Sequence, residues 1–194
     1  MIIAFFDFDG TITKKDSFID FIIFTEGKKK VWIGIIVNFI SIIGYYLSIN
    51  SGQFLKEKLL TYFYKDLDQD RFSELGIQYS KSPLNETIRP KALKRIEWHK
   101  EQGHQVVVVS ASISQWLEPW CKRLEIDCIA TEIEFKNNKL TGKLKGNNCI
   151  GPEKVSRINE KYNLKTSDYI YAYGNSRGDK EILKIANEKF YRYF

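Results

Sequence analysis

Ile2-Ile3-Ala4-Phe5-Phe6-Asp7-Phe8-Asp9-Gly10-Thr11 is an apolar run that passes directly into two acids and a glycine turn. Such a run, bounded by a turn, reads as a strand buried on both faces, hence as a central strand of a parallel sheet. Asp7 and Asp9 fall at its C-terminal end, where open α/β sheets place their ligands. Residues i and i+2 of an extended strand share a face. The two carboxylates therefore converge, and they repel unless a cation lies between them. A hard divalent ion such as Mg²⁺, which takes oxygen ligands, answers that need. Gly10 lets the chain turn sharply, and Thr11 adds a hydroxyl.

The 194 residues suffice for one core with a smaller insert. The formal charge of +6 favours anionic partners, whether phosphate esters, nucleic acid or an acidic membrane surface. Zinc-finger, helix-turn-helix and RNA-binding signatures are absent, so nucleic acid is not an expected partner. Cys121, Cys128 and Cys149 are odd in number and form no C-x-x-C pair, which points to reduced thiols in a cytoplasmic protein. The chain enters its first strand without a basic leader, so no signal peptide is read.

Residues 17–60 read as helical. Within them, 31–55 carries no charged residue and follows Lys28-Lys29-Lys30. About 20 apolar residues cross a bilayer, often with basic residues beside them, so 31–49 has the length of a span. Two features oppose a simple span. Gly34, Asn38, Ser41, Tyr45 and Ser48 recur every three or four residues, the weakly polar stripe of an amphipathic helix. A single crossing would also separate Asp7 from the motifs downstream, and 54–64, with Lys56, Glu57 and Lys58, is too short to return. The segment therefore either packs inside a helical insert or lies in a membrane interface.

Further helices are predicted over 66–79, starting at Asp68 or Gln69, and over 90–100, with Pro90 in the first turn and Gly103 as the stop. The β-branched run 105–112 is a strand. A helix over 113–123 carries Pro119 as a kink. A strand over 127–135 turns at 136–139 into a short hairpin strand, 140–144. Then come a helix over 153–161, a strand over 168–173, a helix reaching 187 and a last strand over 189–194. His99 and His104 flank a turn and read as surface residues; Trp98, Trp116 and Trp120 read as packing. The fold class is α/β, a doubly wound parallel sheet with an all-helical cap inserted after the first strand. Residues 1–13 and 86–194 form the core, and 14–85 the cap.

In such a sheet the strand C-termini share one edge. Asp7/Asp9, Ser110 and Asn175/Asp179 would meet there, with Lys154 entering from a helix start. Carboxylates, a hydroxyl, an ammonium and free helix amides suit a phosphoryl group. Asp7-Phe8-Asp9-Gly10-Thr11, Ser110, Lys154 and Gly174-Asn175-Ser176-Arg177-Gly178-Asp179 resemble, in order and spacing, the four motifs of the haloacid dehalogenase superfamily. The 14–85 insert is similar to the helical cap of its phosphoserine-phosphatase-like branch. The resemblance implies a Mg²⁺-dependent phosphomonoester hydrolase working through an aspartyl-phosphate on Asp7. Asp9 would protonate the leaving alcohol and lend its backbone carbonyl to the metal. Thr11, Ser110, the neighbouring Ala111 and Lys154 would hold phosphoryl oxygens. Asp7, Asp9, Asn175 and Asp179 would form the metal set. Asn175 stands where many members carry an acid, so one negative charge is missing.

The same resemblance places Asp16 and Lys58 near the cap residues that hold the charged ends of phosphoserine. A shorter acid and a point charge replace a longer acid and a bidentate fork. The uncharged 31–55 stretch is similar instead to the cap of phosphatidylglycerophosphatases, which implies a lipid phosphate and a peripheral contact at the inner face of the membrane. A non-catalytic, membrane-peripheral module and a phosphotransferase or mutase on the same chemistry are the other readings.

Overall fold

In the computed structural model, which describes residues 1–47, 49, 51–164 and 168–194, the opening run is β1 (Ile2–Phe6), the middle strand of a five-stranded sheet. The order is β3-β2-β1-β6-β7, with β2 Gln105–Ile113, β3 Asp127–Thr131, β6 Tyr169–Gly174 and β7 Glu188–Tyr191. All four pairings are parallel; Phe6 is in register with Val108 on one side and Tyr173 on the other. Alternation along β1 feeds two cores. Ile3 and Phe5 pack with Val107, Ile158, Ala172 and Ile182, while Ala4 and Phe6 pack with Val108, Ile96, Trp120 and Tyr173. This is the doubly wound α/β arrangement with helices on both faces.

Among the described residues six α-helices separate β1 from β2, the first five being α1 Ser17–Val37, α2 Phe39–Tyr46, α3 Gly52–Tyr64, α4 Gln69–Lys81 and α5 Pro83–Thr87. The predicted unbroken helix is interrupted. Gly27, at φ 76° and ψ 156°, breaks α1 internally, and a bend of 71° separates α1 from α2. Among the described residues no single helix is long and apolar enough to cross a membrane. The weakly polar stripe is borne inward at Gly34 and Asn38, whereas most large apolar residues of 32–47 are exposed, so the segment is not packed within the insert; Ser48 lies outside the described residues.

The remaining helices are α6 Pro90–Glu101, α7 Ser114–Arg123, α8 Pro152–Lys161 and α9 Lys180–Lys184, the last shorter than predicted. Pro119 sits inside α7 without ending it. The strand predicted over 127–135 is two. It leaves the main sheet after Thr131, whose buried hydroxyl accepts from the Cys149 amide at 3.0 Å and donates to Asn148 Oδ1 at 3.1 Å. It resumes as β4 (Ile133–Lys136), antiparallel to β5 (Lys139–Leu144). This hairpin grips the insert: the Asp66 amide donates to the Leu140 carbonyl at 2.9 Å, and that of Gln69 to the Asn138 carbonyl at 2.8 Å.

His99 is fully buried, contrary to expectation. It shares the inward face of α6 with Ala92 and Ile96, at spacings of four and three, the helical period that predicts burial. Its Nε2 lies 2.9 Å from the Tyr173 hydroxyl and its Nδ1 2.8 Å from Nδ1 of the half-buried His104. Burial, with Arg95 nearby, pushes the His99 pKa down to about 3. Trp116 and Trp120 are core residues, as predicted.

Insert and core approach closely at Gly76 of α4, where an added Cβ would collide with the Gln115 backbone carbonyl of α7. Gly76→Ala is expected to lower stability by about 1–3 kcal/mol through overpacking. Urea denaturation with an unchanged m-value checks this; a wild-type midpoint would refute the contact.

Candidate active site

The turn leaving β1 sets the site. Asp7 is buried, and its amide continues the sheet by donating to the Tyr173 carbonyl at 2.9 Å. Residues 8–12 coil into a tight turn in which Gly10 takes φ 77°. A side chain there would be strained, and its Cβ would strike the Asn175 side chain. Glycine is thus required twice, by backbone conformation and by close approach.

The Asp7 carboxylate accepts from Lys154 Nζ at 2.6 Å on one oxygen and from the Thr11 hydroxyl at 3.0 Å on the other. Lys154, from the first turn of α8, is buried and also donates to Asp179 at 2.7 Å. The second Asp179 oxygen accepts from the amides of Asn175 and Ser176, at 3.0 and 2.9 Å, and from the Ser176 hydroxyl at 2.9 Å. Burial works against the Lys154 charge, but the two carboxylates outweigh it and hold its pKa above the ordinary lysine range. Burial pushes Asp7 up, and Lys154 and Thr11 pull part of that back. Asp179 is held low because Lys154 and Ser176 overcome its own desolvation.

Asp9 points the other way, toward the insert. One oxygen accepts from the Ser17 amide at 2.8 Å, at the start of α1, and the other from the Ser112 hydroxyl at 2.6 Å. Behind Ser112 the chain of donors continues: Trp116 Nε1 donates to Ser17 Oγ at 3.1 Å, and Ser17 Oγ to Ser112 Oγ at 3.1 Å. Loss of solvent, with the Asp16 charge nearby, raises the Asp9 pKa to about 7.

Ser110 is buried beside this chain and donates to Ser112 Oγ at 3.0 Å. Ser112 escaped the sequence reading although it shares a strand face with Ser110, a spacing of two that was the available signal. The Ala111 carbonyl, meanwhile, accepts from Lys56 Nζ at 2.6 Å. Lys56 also donates to Asn148 Oδ1 at 2.9 Å, and burial lowers its pKa to about 8 against the pull of Asp16 and Asp9. Lys58 is not brought to the site. It is exposed, with its ammonium over the Phe54 ring, because a step of two along a helix turns a side chain to another face. The cation at the site mouth is Lys56. Asp16 caps α1 through the Ile19 amide and lines the same cleft as Lys56. Asn148, in the loop before α8, carried no sequence signal.

Among the described residues no three His, Cys, Asp or Glu side chains cluster as a metal-ion set. The donors present nonetheless fit a hard cation. Asn175 Oδ1 is buried and without a hydrogen-bond partner, which is costly unless something positive meets it. The Asp7–Lys154–Asp179 trio carries a net negative charge, and hard oxygen donors suit Mg²⁺. Asp7, the Asp9 carbonyl and Asn175 Oδ1 would hold it. Both Asp179 oxygens are engaged within the chain, so its charge acts at second hand.

Acids at the end of the central strand, a buried lysine from a later helix and a helical insert over the cleft define a hydrolase-type α/β site. The chain matches the family profile described as haloacid dehalogenase-like hydrolase over residues 4–184, and it belongs to that family. It is 32% identical over 192 residues to Protein CicA of Caulobacter vibrioides, covering 97% of this chain and 85% of that one. Among solved structures, a Bordetella pertussis Tohama I protein of unknown function superposes with a TM-score of 0.78 at 20% identity, covering 94% of this chain and 86% of that one. A substrate-bound phosphoserine phosphatase does so with a TM-score of 0.65 at 17% identity, over 97% of this chain and 84% of that one, and shares the fold.

Lys154→Met leaves Asp7 and Asp179 buried without a cation. Removing one partner of a buried pair costs about 3–5 kcal/mol. The stranded carboxyls then titrate higher in the folded chain than in the unfolded one, so stability falls as pH rises. Urea denaturation should show a larger deficit at pH 8 than at pH 5; a small, pH-independent loss would contradict the trio.

Proposed function

We propose that the chain is a Mg²⁺-dependent phosphomonoester hydrolase that forms an aspartyl-phosphate on Asp7. The observation that carries this is the pairing of opposite roles two residues apart. Asp7 is presented at the strand end against Lys154, and Asp9 is held near neutrality with its pKa at about 7. In the first half-reaction an Asp7 oxygen bonds to phosphorus, the ester P–O bond breaks, and the leaving alkoxide takes the Asp9 proton. In the second, Asp9 removes a proton from water, whose oxygen bonds to phosphorus as the Asp7 O–P bond breaks, releasing inorganic phosphate and restoring the Asp7 carboxylate. A pKa near the operating pH suits a group that must donate and then accept. Lys154 and the Thr11 hydroxyl offset charge on the transferring group. Mg²⁺ held by Asp7, the Asp9 carbonyl and Asn175 would neutralise phosphoryl oxygens.

The alcohol side of the ester faces a cleft of about 510 Å³ that runs from Asp16, Lys56 and Ala111 between α1, α2 and α3. Phe18, Ile22, Leu55, Leu59 and Phe63 line it. Asp16 and Lys56 offer charged partners only at its inner end, and the apolar length beyond them favours an amphiphilic phosphate over phosphoserine.

Phosphate release with Mg²⁺ from phosphoserine and from phosphatidylglycerophosphate in mixed micelles tests both points. Asp7→Asn should lower release by at least about 10³-fold, as loss of a nucleophile does; undiminished release would refute the mechanism, and faster turnover of phosphoserine would refute the amphiphilic substrate. Asn175→Asp should tighten Mg²⁺ binding in calorimetric titration, and an unchanged isotherm would remove Asn175 from the metal set.

A further inference from the structure

The insert carries a helix turned inside out. Beyond Gly27 in α1, and through α2, small or weakly polar residues face the protein and large apolar ones face away. Gly34, Asn38 and Gly44 are buried. Gly34 lies so close under α3 that a Cβ would collide with the Phe63 ring. Asn38 returns its side-chain amide to the Gly34 carbonyl at 2.9 Å. Outward, Trp32 is 67% exposed, Ile36 70%, Ile40 85% and Tyr46 79%. A helix facing water has the opposite arrangement.

The distribution of this surface distinguishes its occupant. Trp32, Ile33, Ile36 and Val37 of α1 are exposed, and beyond the buried Asn38 so are Phe39 and Ile40 of α2, so a broad apolar face runs across both arms of the bend. A folded partner covers a stripe, as helix-in-groove docking does; a continuous apolar medium surrounds. Charge points the same way. Lys28, Lys29 and Lys30 are exposed at the foot of the elbow, and Lys30 is the one of the three in a salt bridge, to Glu26 at 3.0 Å. Basic residues beside an uncharged apolar element match an anionic lipid surface, and Trp and Tyr favour the lipid–water boundary. The bend of 71° breaks the pair, and among the described residues no single helix is long and apolar enough to cross a bilayer. The inner side of the elbow, at Val31, Ile35, Ile42 and Tyr45, walls the cleft that reaches Asp16 and Lys56.

We propose that the α1–α2 elbow is a docking element that lies in the surface of an anionic bilayer and opens the apolar end of the cleft to the lipid. The docking goes beyond the hydrolase reading and stands independently of the chemistry at Asp7.

Co-sedimentation with vesicles of phosphatidylcholine containing roughly a third phosphatidylglycerol tests it, with pure phosphatidylcholine alongside. The full chain should partition to the anionic vesicles. The double variant Ile36→Asp/Ile40→Asp should lose at least about tenfold in partition, since two large apolar side chains no longer enter lipid. Replacing Lys28, Lys29 and Lys30 by Gln should lower it by about fivefold per charge on anionic vesicles only. Circular dichroism, and an unchanged turnover of the soluble ester para-nitrophenyl phosphate, show that the variants are folded. If the native chain does not turn that ester over, the hydrolase reading fails while the vesicle result is unaffected. No partition by the native chain, or equal partition by the double variant, overturns the docking. A dimer in light scattering that the double variant disperses, without vesicle binding, assigns the face to a second copy of the chain instead.

Discussion

Two carboxylates share one buried ammonium, and the core is arranged to keep them there. Asp7 ends β1 and Asp179 follows β6, so the parallel pairing of these strands fixes the separation of the acids. Lys154 can reach both only because α8 starts at the same sheet edge. The cost of burying three charges is offset by at least one hydrogen bond on every carboxylate oxygen of the trio, the condition under which such a cluster is tolerated. Gly10 and Gly174 belong to the same arrangement, since a side chain at either would push Asn175 or Asp179 out of place.

The sheet was legible because β1 and β2 are buried on both faces and spell that out as continuous apolar runs. The failures have local causes. Residues 127–135 read as one strand because Cys128, Ile129, Thr131, Ile133 and Phe135 suit β structure and no glycine or proline interrupts them. The break at Glu132 comes from Thr131 hydrogen-bonding to a loop some 17 residues on, which no local pattern encodes. His99 looked like a surface residue beside a turn, although its spacing from Ala92 and Ile96 marked it as inward. In 31–47 the stripe holds at Gly34 and Asn38, which are buried, and fails beyond the bend, where Tyr45 is exposed; such a stripe says that two faces differ, not which one meets the protein.

The site divides in the same way. Asp7, Asp9, Thr11, Asn175 and Asp179 lie after strand ends and Lys154 where a helix starts, and the structure brings them to one edge of the sheet. Ser112, Lys56 and Asn148 complete the cleft through contacts between insert and core, and those exist only in three dimensions. Lys56 and Lys58 differ by two positions and sit on one helix, yet the turn of that helix alone decides which reaches Ala111.

The β4–β5 hairpin gives the insert an uneven fastening. It holds the α3–α4 connection and the start of α4 by backbone hydrogen bonds and α3 itself through the Glu57 carboxylate, which accepts from the Leu144 amide, and Arg123 of α7 adds a grip on Ser80. The opposite end of the insert, at the elbow, is tied mainly by α3 beneath it. The insert is thus fastened in the manner of a cantilever, by its root. The first turn of α1 belongs to that root, and it holds the Asp9 carboxylate through the Ser17 amide. The wall of the cleft and the setting of Asp9 are therefore one piece: displacing that turn would also remove a hydrogen bond from the acid.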